Sequence, residues 1–162
     1  MKIVVVRHGK QVKVPGRNGP LTEGGWAAAR QTGRWLASQG LNPVLLIHTG
    51  QHRTRQTAEA VLEAFEAEVP LGRPRTLPSL PRYWHPFTDE LTKRVQDDGD
   101  VILVGHHPTQ QLVESYCGGR AFGVPKDNKA AAFVLEHTDS DGWCCVSVWP
   151  GASGAEAAKG GA

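Results

Sequence analysis

Three apolar runs punctuate the chain: IVVV at Ile3 to Val6, VLLI at Val44 to Ile47 and VILV at Val101 to Val104. None alternates with polar residues, as expected of strands covered on both faces. Between the runs the period changes. Trp26, Ala29, Gly33 and Leu36 share one face of a helix that Thr22 can cap and that ends near Gln39, with Gly40 as its stop. Ala58, Val61, Leu62 and Phe65 stand at i, i+3, i+4 and i+7, an amphipathic helix after the second run. The proline-rich stretch from Val69 to Pro86 reads as irregular, with one short strand near Thr76 and Leu77. Phe87, Leu91 and Val95 predict a third helix, closed by the acidic turn DDGD. Leu112, Val113 and Tyr116 predict a short helix stopped by Gly118 and Gly119, and AAFVLEH and WCCVSVW predict two late strands joined by the turn DSDG.

Strand and helix in alternation predict an α/β fold: a single domain in three layers, α/β/α, around a mostly parallel sheet. Residues 1–150 are expected to form that domain. Residues 151–162, GASGAEAAKGGA, are small and polar and are expected to be a disordered tail.

At 162 residues the chain can bury a core without staples. A net charge of +2 excludes the broad basic field that nucleic-acid binding needs, so any use of positive charge must be local. The start passes from Met1 and Lys2 straight into IVVV, with neither a long apolar segment nor a cleavage site, which predicts a cytoplasmic chain without membrane contact. Cys117, Cys144 and Cys145 lack metal-type spacing and read as reduced thiols.

In sheets of this kind ligands sit beyond the C-terminal ends of the strands. There the first run opens into Arg7, His8 and Gly9, the second into His48, Thr49 and Gly50 with Arg53 shortly after, and the VILV run into Gly105, His106 and His107. Guanidinium groups grip phosphate oxygens with a planar fork of donors. A neutral histidine can attack phosphorus, and nearby positive charge disfavours its imidazolium. Gly9 would let the backbone approach an anion, and Pro108 suits the start of a helix whose N-terminus would add oriented N–H groups.

The conjunction of RHG at Arg7 to Gly9, GPLTEGG at Gly19 to Gly25, RTRQTAEAV at Arg53 to Val61 and VILVGHHP at Val101 to Pro108 resembles the histidine phosphatase superfamily, in that family's order and over the chain to about Trp149. The resemblance implies a phosphoglycerate mutase-like fold and a phosphatase that forms a phosphohistidine on the enzyme, with no cofactor and no metal. Carried over by motif position, the catalytic residues are His8, Arg7, Arg53 and His106. The family's pocket arginine stands four residues before the threonine of TA, which selects Arg53 and leaves Arg55 facing solvent. Gly9, Thr49, Gln11 and Trp84 are further candidates for substrate binding.

The chain departs from the family at the catalytic acid. Neither LPSLPRYWHP nor the position after His106 offers a carboxylate, which leaves His107 and His85 as candidate proton donors or as plain pocket-wall histidines. A phosphohistidine whose other ring nitrogen is protonated releases neutral imidazole, whose conjugate acid has a pKa of about 6.5, so it needs far less acid help than an alkoxide does. Little chain lies between Leu77 and Gly99 to build a lid, and an open pocket could admit a histidine displayed on another protein. These features resemble the SixA-type phosphohistidine phosphatases and imply a phosphohistidine-bearing protein as partner. Three rival readings stand beside this one: a small-molecule phosphomonoesterase, a phosphate-binding module with weak catalysis, and a metal site using His106 and His107 or His48 and His52. Against the last, no Cys or carboxylate stands at regular ligand spacing.

Overall fold

The computed structural model describes residues 2–68, 75–77, 99–106, 113–114, 117–119, 128–140 and 142–151. Their elements run in the order β1 (Lys2–Arg7), α1 (Glu23–Ala37), β2 (Pro43–His48), α2 (His52–Glu68), β3 (Arg75–Leu77), β4 (Asp100–Gly105), β5 (Ala132–Thr138) and β6 (Gly142–Trp149). The expected helix at Phe87 to Val95, together with Trp84, His85, His107, Pro108 and the tail beyond Gly151, lies outside the described residues.

The six strands form one sheet in the order β3-β2-β4-β1-β5-β6. β3, β2, β4 and β1 are parallel neighbours, and β5 pairs antiparallel with both β1 and β6. Five strands therefore point one way and β5 alone points the other, the mostly parallel sheet that the alternating pattern predicts. β4 inserts between β2 and β1, so the three expected strand ends become neighbours although far apart in sequence.

Each apolar run splits between two cores. Val4, Val6, Leu46, Ile102 and Val104 face α1 and α2. Ile3, Val5, Leu45, Ile47, Val101 and Leu103 face the other way, where Val113 of a short helical stretch packs on them. Every side chain in both runs of β1 and β4 is buried, which is why no polar position interrupts them. Burying each such side chain is worth about 1.5–3 kcal/mol, so the sheet centre is the stable frame on which the strand ends are hung.

Thr22 caps α1, its Oγ1 accepting from the Gly25 N–H at 3.0 Å, and Gly40, at φ 63°, ends the turn that follows. The buried stripe of α1 is Gly25, Ala28, Ala29, Thr32, Gly33 and Leu36. It includes Gly25 where the period alone suggests Trp26, which is only half buried. The reason is proximity: a Cβ on Gly25 would lie 2.2 Å from the Lys10 carbonyl oxygen, so the helix start presses directly on the exit of β1.

Candidate active site

β1 delivers Arg7 and His8 to one point, both buried. The His8 N–H donates to the Gly105 carbonyl at 3.0 Å, so the exits of β1 and β4 are tied together. The His8 ring donates from Nδ1 to the Gly9 carbonyl at 2.7 Å. That fixes its proton on Nδ1 and leaves the lone pair on Nε2. Burial, with the positive charges of Lys129 and Arg53 and the neighbouring His106, holds the His8 pKa down at about 3, against the pull of the Gly9 hydrogen bond. At neutral pH the ring is a neutral base.

Gly9 is fixed from two sides, one of which leaves room only for glycine. A Cβ there would meet the Gly25 carbonyl oxygen at 2.7 Å. Its N–H donates to Thr57 Oγ1 at 2.9 Å, and that hydroxyl donates to the Arg53 carbonyl at 2.6 Å. The space at Gly9 is thus taken by α1, and its N–H by α2, rather than standing open to an anion. Thr57 locks the loop after His8 to the first turn of α2.

Arg53 is buried on that turn, whereas Arg55 is half exposed and pairs with Glu59 across 3.6 Å. Arg53 donates from Nη1 to the Arg17 carbonyl at 2.5 Å and from Nη2 to His106 Nδ1 at 3.2 Å. The N-terminus of α2 is closed from the same loop, the His52 N–H donating to Asn18 Oδ1 at 2.9 Å. The rings of His8 and His106 lie 5.5 Å apart, edge to face. Thr49 stands at the exit of β2 within 2.8 Å of His106 Nε2. His8, Arg7, Arg53, His106 and Thr49 are therefore gathered, while Gln11 lies on the loop paired with Leu21. His48, at the end of β2, accepts the Gly50 N–H at 3.0 Å on Nδ1, and its pKa is lowered by burial and by Arg55, with Glu59 acting in the opposite sense.

A fifth basic group comes from the segment before β5. Arg7 donates from Nη1 to the Asn128 carbonyl at 3.2 Å, and the Ala130 N–H donates to the His8 carbonyl at 3.3 Å. Lys129 sits between these two anchors, and its charge is felt at His8 more strongly than that of Arg53. Two non-glycine residues among those described have left-handed backbone, Arg17 and Ala130, both at φ 58°. Both lie beside this cluster, one accepting from Arg53 and the other donating to His8. Strain of about 1–2 kcal/mol at each is held in place by those bonds and by Thr32, which donates to the Ala130 carbonyl at 2.7 Å. Sequence reasoning misses Thr57, Asn128 and Lys129. The signal available was β5 itself: a strand antiparallel to β1 must begin beside the end of β1, so the residues before Ala132 belong to the pocket.

Among the described residues no three His, Cys, Asp or Glu side chains gather as a metal site, and no helix is long and apolar enough to cross a membrane. What gathers is a neutral imidazole with its lone pair on Nε2, two guanidinium groups, an ammonium group and a second imidazole. This set can bind a tetrahedral dianion and attack it.

Comparison with known proteins bears on the fold. The sequence model of the histidine phosphatase superfamily (branch 1) matches residues 3–73, the span that carries His8, Arg7 and Arg53. No curated protein sequence matches the chain. The fold is shared with the protein histidine phosphatase SixA, solved with tungstate, at a TM-score of 0.73 and 20% identity over 93% of this chain and 97% of that one. It is also shared with a mycobacterial glucosyl-3-phosphoglycerate phosphatase solved with VO3, at 0.63 and 16% identity over 92% and 98% of the two chains. An ecdysone phosphate phosphatase from Bombix mori, solved with tungstate, superposes at 0.60 with 16% identity over 94% and 93%. The phosphoglycerate mutase-like architecture that the motifs imply is thus the fold of this chain.

Proposed function

We propose that this chain is a metal-independent phosphatase that works through a phosphohistidine on His8, and that its substrate is a phosphohistidine displayed on another protein. The observation that carries the reading is the wiring of His8: its Nδ1 proton is spent on the Gly9 carbonyl and its pKa is held near 3, which leaves a neutral nucleophile beside two arginines. In the first step Nε2 attacks phosphorus in line. The new P–N bond forms as the bond to the leaving group breaks, while Arg7, Arg53 and His106 stabilise charge on the equatorial oxygens. In the second step water attacks phosphorus, the P–Nε2 bond breaks, inorganic phosphate leaves and the water's proton passes to solvent.

The substrate class rests on the leaving group. The sequence carries no carboxylate at the positions where many family members place their acid, and a phosphohistidine needs less protonation than an ester does. The shared folds include a protein histidine phosphatase, a glucosyl-3-phosphoglycerate phosphatase and an ecdysone phosphate phosphatase, so fold alone leaves the choice among such substrates to experiment. The test is a parallel assay, without added metal, on a phosphohistidine-bearing protein and a panel of sugar and nucleoside phosphates. Faster turnover of the phosphohistidine is expected. Higher kcat/KM on the esters would move the substrate to a small phosphomonoester, and turnover of neither would leave a phosphate-binding module.

A further inference from the structure

Among the described residues two imidazoles of the pocket lie 5.5 Å apart, and a phosphoryl-transfer site is served by one nucleophile, not two. His8 has an available lone pair on Nε2. The hydrogen bonds around His106 decide what that ring presents. Arg53 Nη2 lies 3.2 Å from His106 Nδ1, and a guanidinium can only donate. Nδ1 therefore accepts, and a neutral ring must carry its proton on Nε2. An imidazolium would set two donors against each other at that contact. Nε2 lies 2.8 Å from Thr49 Oγ1, whose hydroxyl donates to Thr54 Oγ1 at 3.2 Å, and Thr54 donates in turn to the Gln51 carbonyl at 2.9 Å. A carbonyl can only accept. With a pure donor at one end and a pure acceptor at the other, every proton in the chain points the same way, from Arg53 toward Gln51. Thr54 is fully buried, so water does not replace the last link.

We infer that Thr49 is a positioning residue that, with Thr54 and the Gln51 carbonyl behind it, holds His106 as its Nε2-protonated neutral tautomer and so leaves His8 Nε2, of these two imidazoles, as the one that offers a nucleophilic lone pair. In this state Nδ1 of His106 is occupied by Arg53, and Nε2–H is a donor that can be handed from Thr49 to a phosphoryl oxygen. The catalytic consequence rests on the phosphatase reading above; the tautomer itself does not.

The experiment is side-chain 15N NMR of histidine-labelled, ligand-free protein, with Thr49→Val and Thr49→Ser alongside. Wild type is expected to show His106 with an unprotonated Nδ1 and a protonated Nε2. Thr49→Val keeps the shape and removes the acceptor, and is expected to move His106 toward a mixture of tautomers. It should also lower kcat about fivefold to tenfold, the loss of one hydrogen bond. Thr49→Ser restores both. Thr54→Val cuts the chain one link later and should displace the same resonances, which keeps the test open if Thr49→Val does not fold. A protonated Nδ1 on His106 in wild type, or unchanged His106 resonances in both valine variants, overturns the inference. Wild-type protein that hydrolyses no phosphorylated substrate overturns the phosphatase reading alone.

Discussion

At the end of the sheet where β1 and β4 begin, the buried Asp100 carboxylate accepts from the backbone N–H of Lys2 at 2.6 Å and of Asn42 at 2.8 Å. One negative group there closes off the donors of two neighbouring segments. At the opposite end, where the same strands finish, Arg7, Arg53 and Lys129 gather around His8, and the guanidinium groups of Arg7 and Arg53 donate to the main-chain carbonyls of Asn128 and Arg17. Both ends are built from parallel strands in register. They differ in which charge is placed there: a carboxylate that takes main-chain N–H donors at one end, several positive groups around a neutral imidazole at the other. The first end is structural, and the second suits the anionic substrate proposed above.

The largest test of this contrast is His8→Ala, which should lower phosphatase turnover by about 10³-fold or more; undiminished hydrolysis would remove His8 as nucleophile. The same position governs acid stability. Between about pH 6.5 and the folded value of about 3, an unfolded His8 binds a proton that the folded one refuses. Stability should therefore fall as pH falls through that window, by up to about 1.4 kcal/mol per pH unit from this group, and His8→Asn should flatten the acid side of a denaturation series. Arg53→Lys keeps the charge but loses the fork, and should cost about tenfold to a hundredfold in kcat/KM in steady-state assays. Asp100→Ala reverses the pattern: a loss of about 3 kcal/mol in urea denaturation, with kcat/KM held within about twofold. If it lowered activity as much as Arg53→Lys does, the two ends would not be separable. Lys129→Met should raise KM for an anionic substrate about threefold at low salt and less at high salt, where screening already weakens the charge.

The four central residues were legible because each sits at the end of an apolar run or at the start of a strongly periodic helix, where local pattern fixes position. Arg53 could be told from Arg55 by family spacing, and their burial differs accordingly. Lys129 was not legible. In KDNKAAA it looks like a solvated turn, and only the antiparallel pairing of Val6 with Ala132 brings it to the pocket. Thr57 was hidden for a related reason: it reads as one polar position on a helix, and its bond to the Gly9 N–H spans 48 residues. The burial of Gly25 in place of Trp26 likewise depends on how closely α1 approaches Lys10, which no periodicity encodes.

Arg53 is steadied by the main-chain carbonyl of Arg17. A carbonyl is the same whatever residue bears it. Between Val12 and Asn18 the side chains all face solvent, and only Asn18 contributes one, to the start of α2. The clamp is therefore insulated from side-chain changes in the loop beside it that keep the left-handed backbone at Gly16 and Arg17. Under the proposed function, the exposed side chains of this loop could change to suit another docking partner while the carbonyl that holds Arg53 stayed in place, so that partner choice and phosphoryl chemistry would be free to evolve separately.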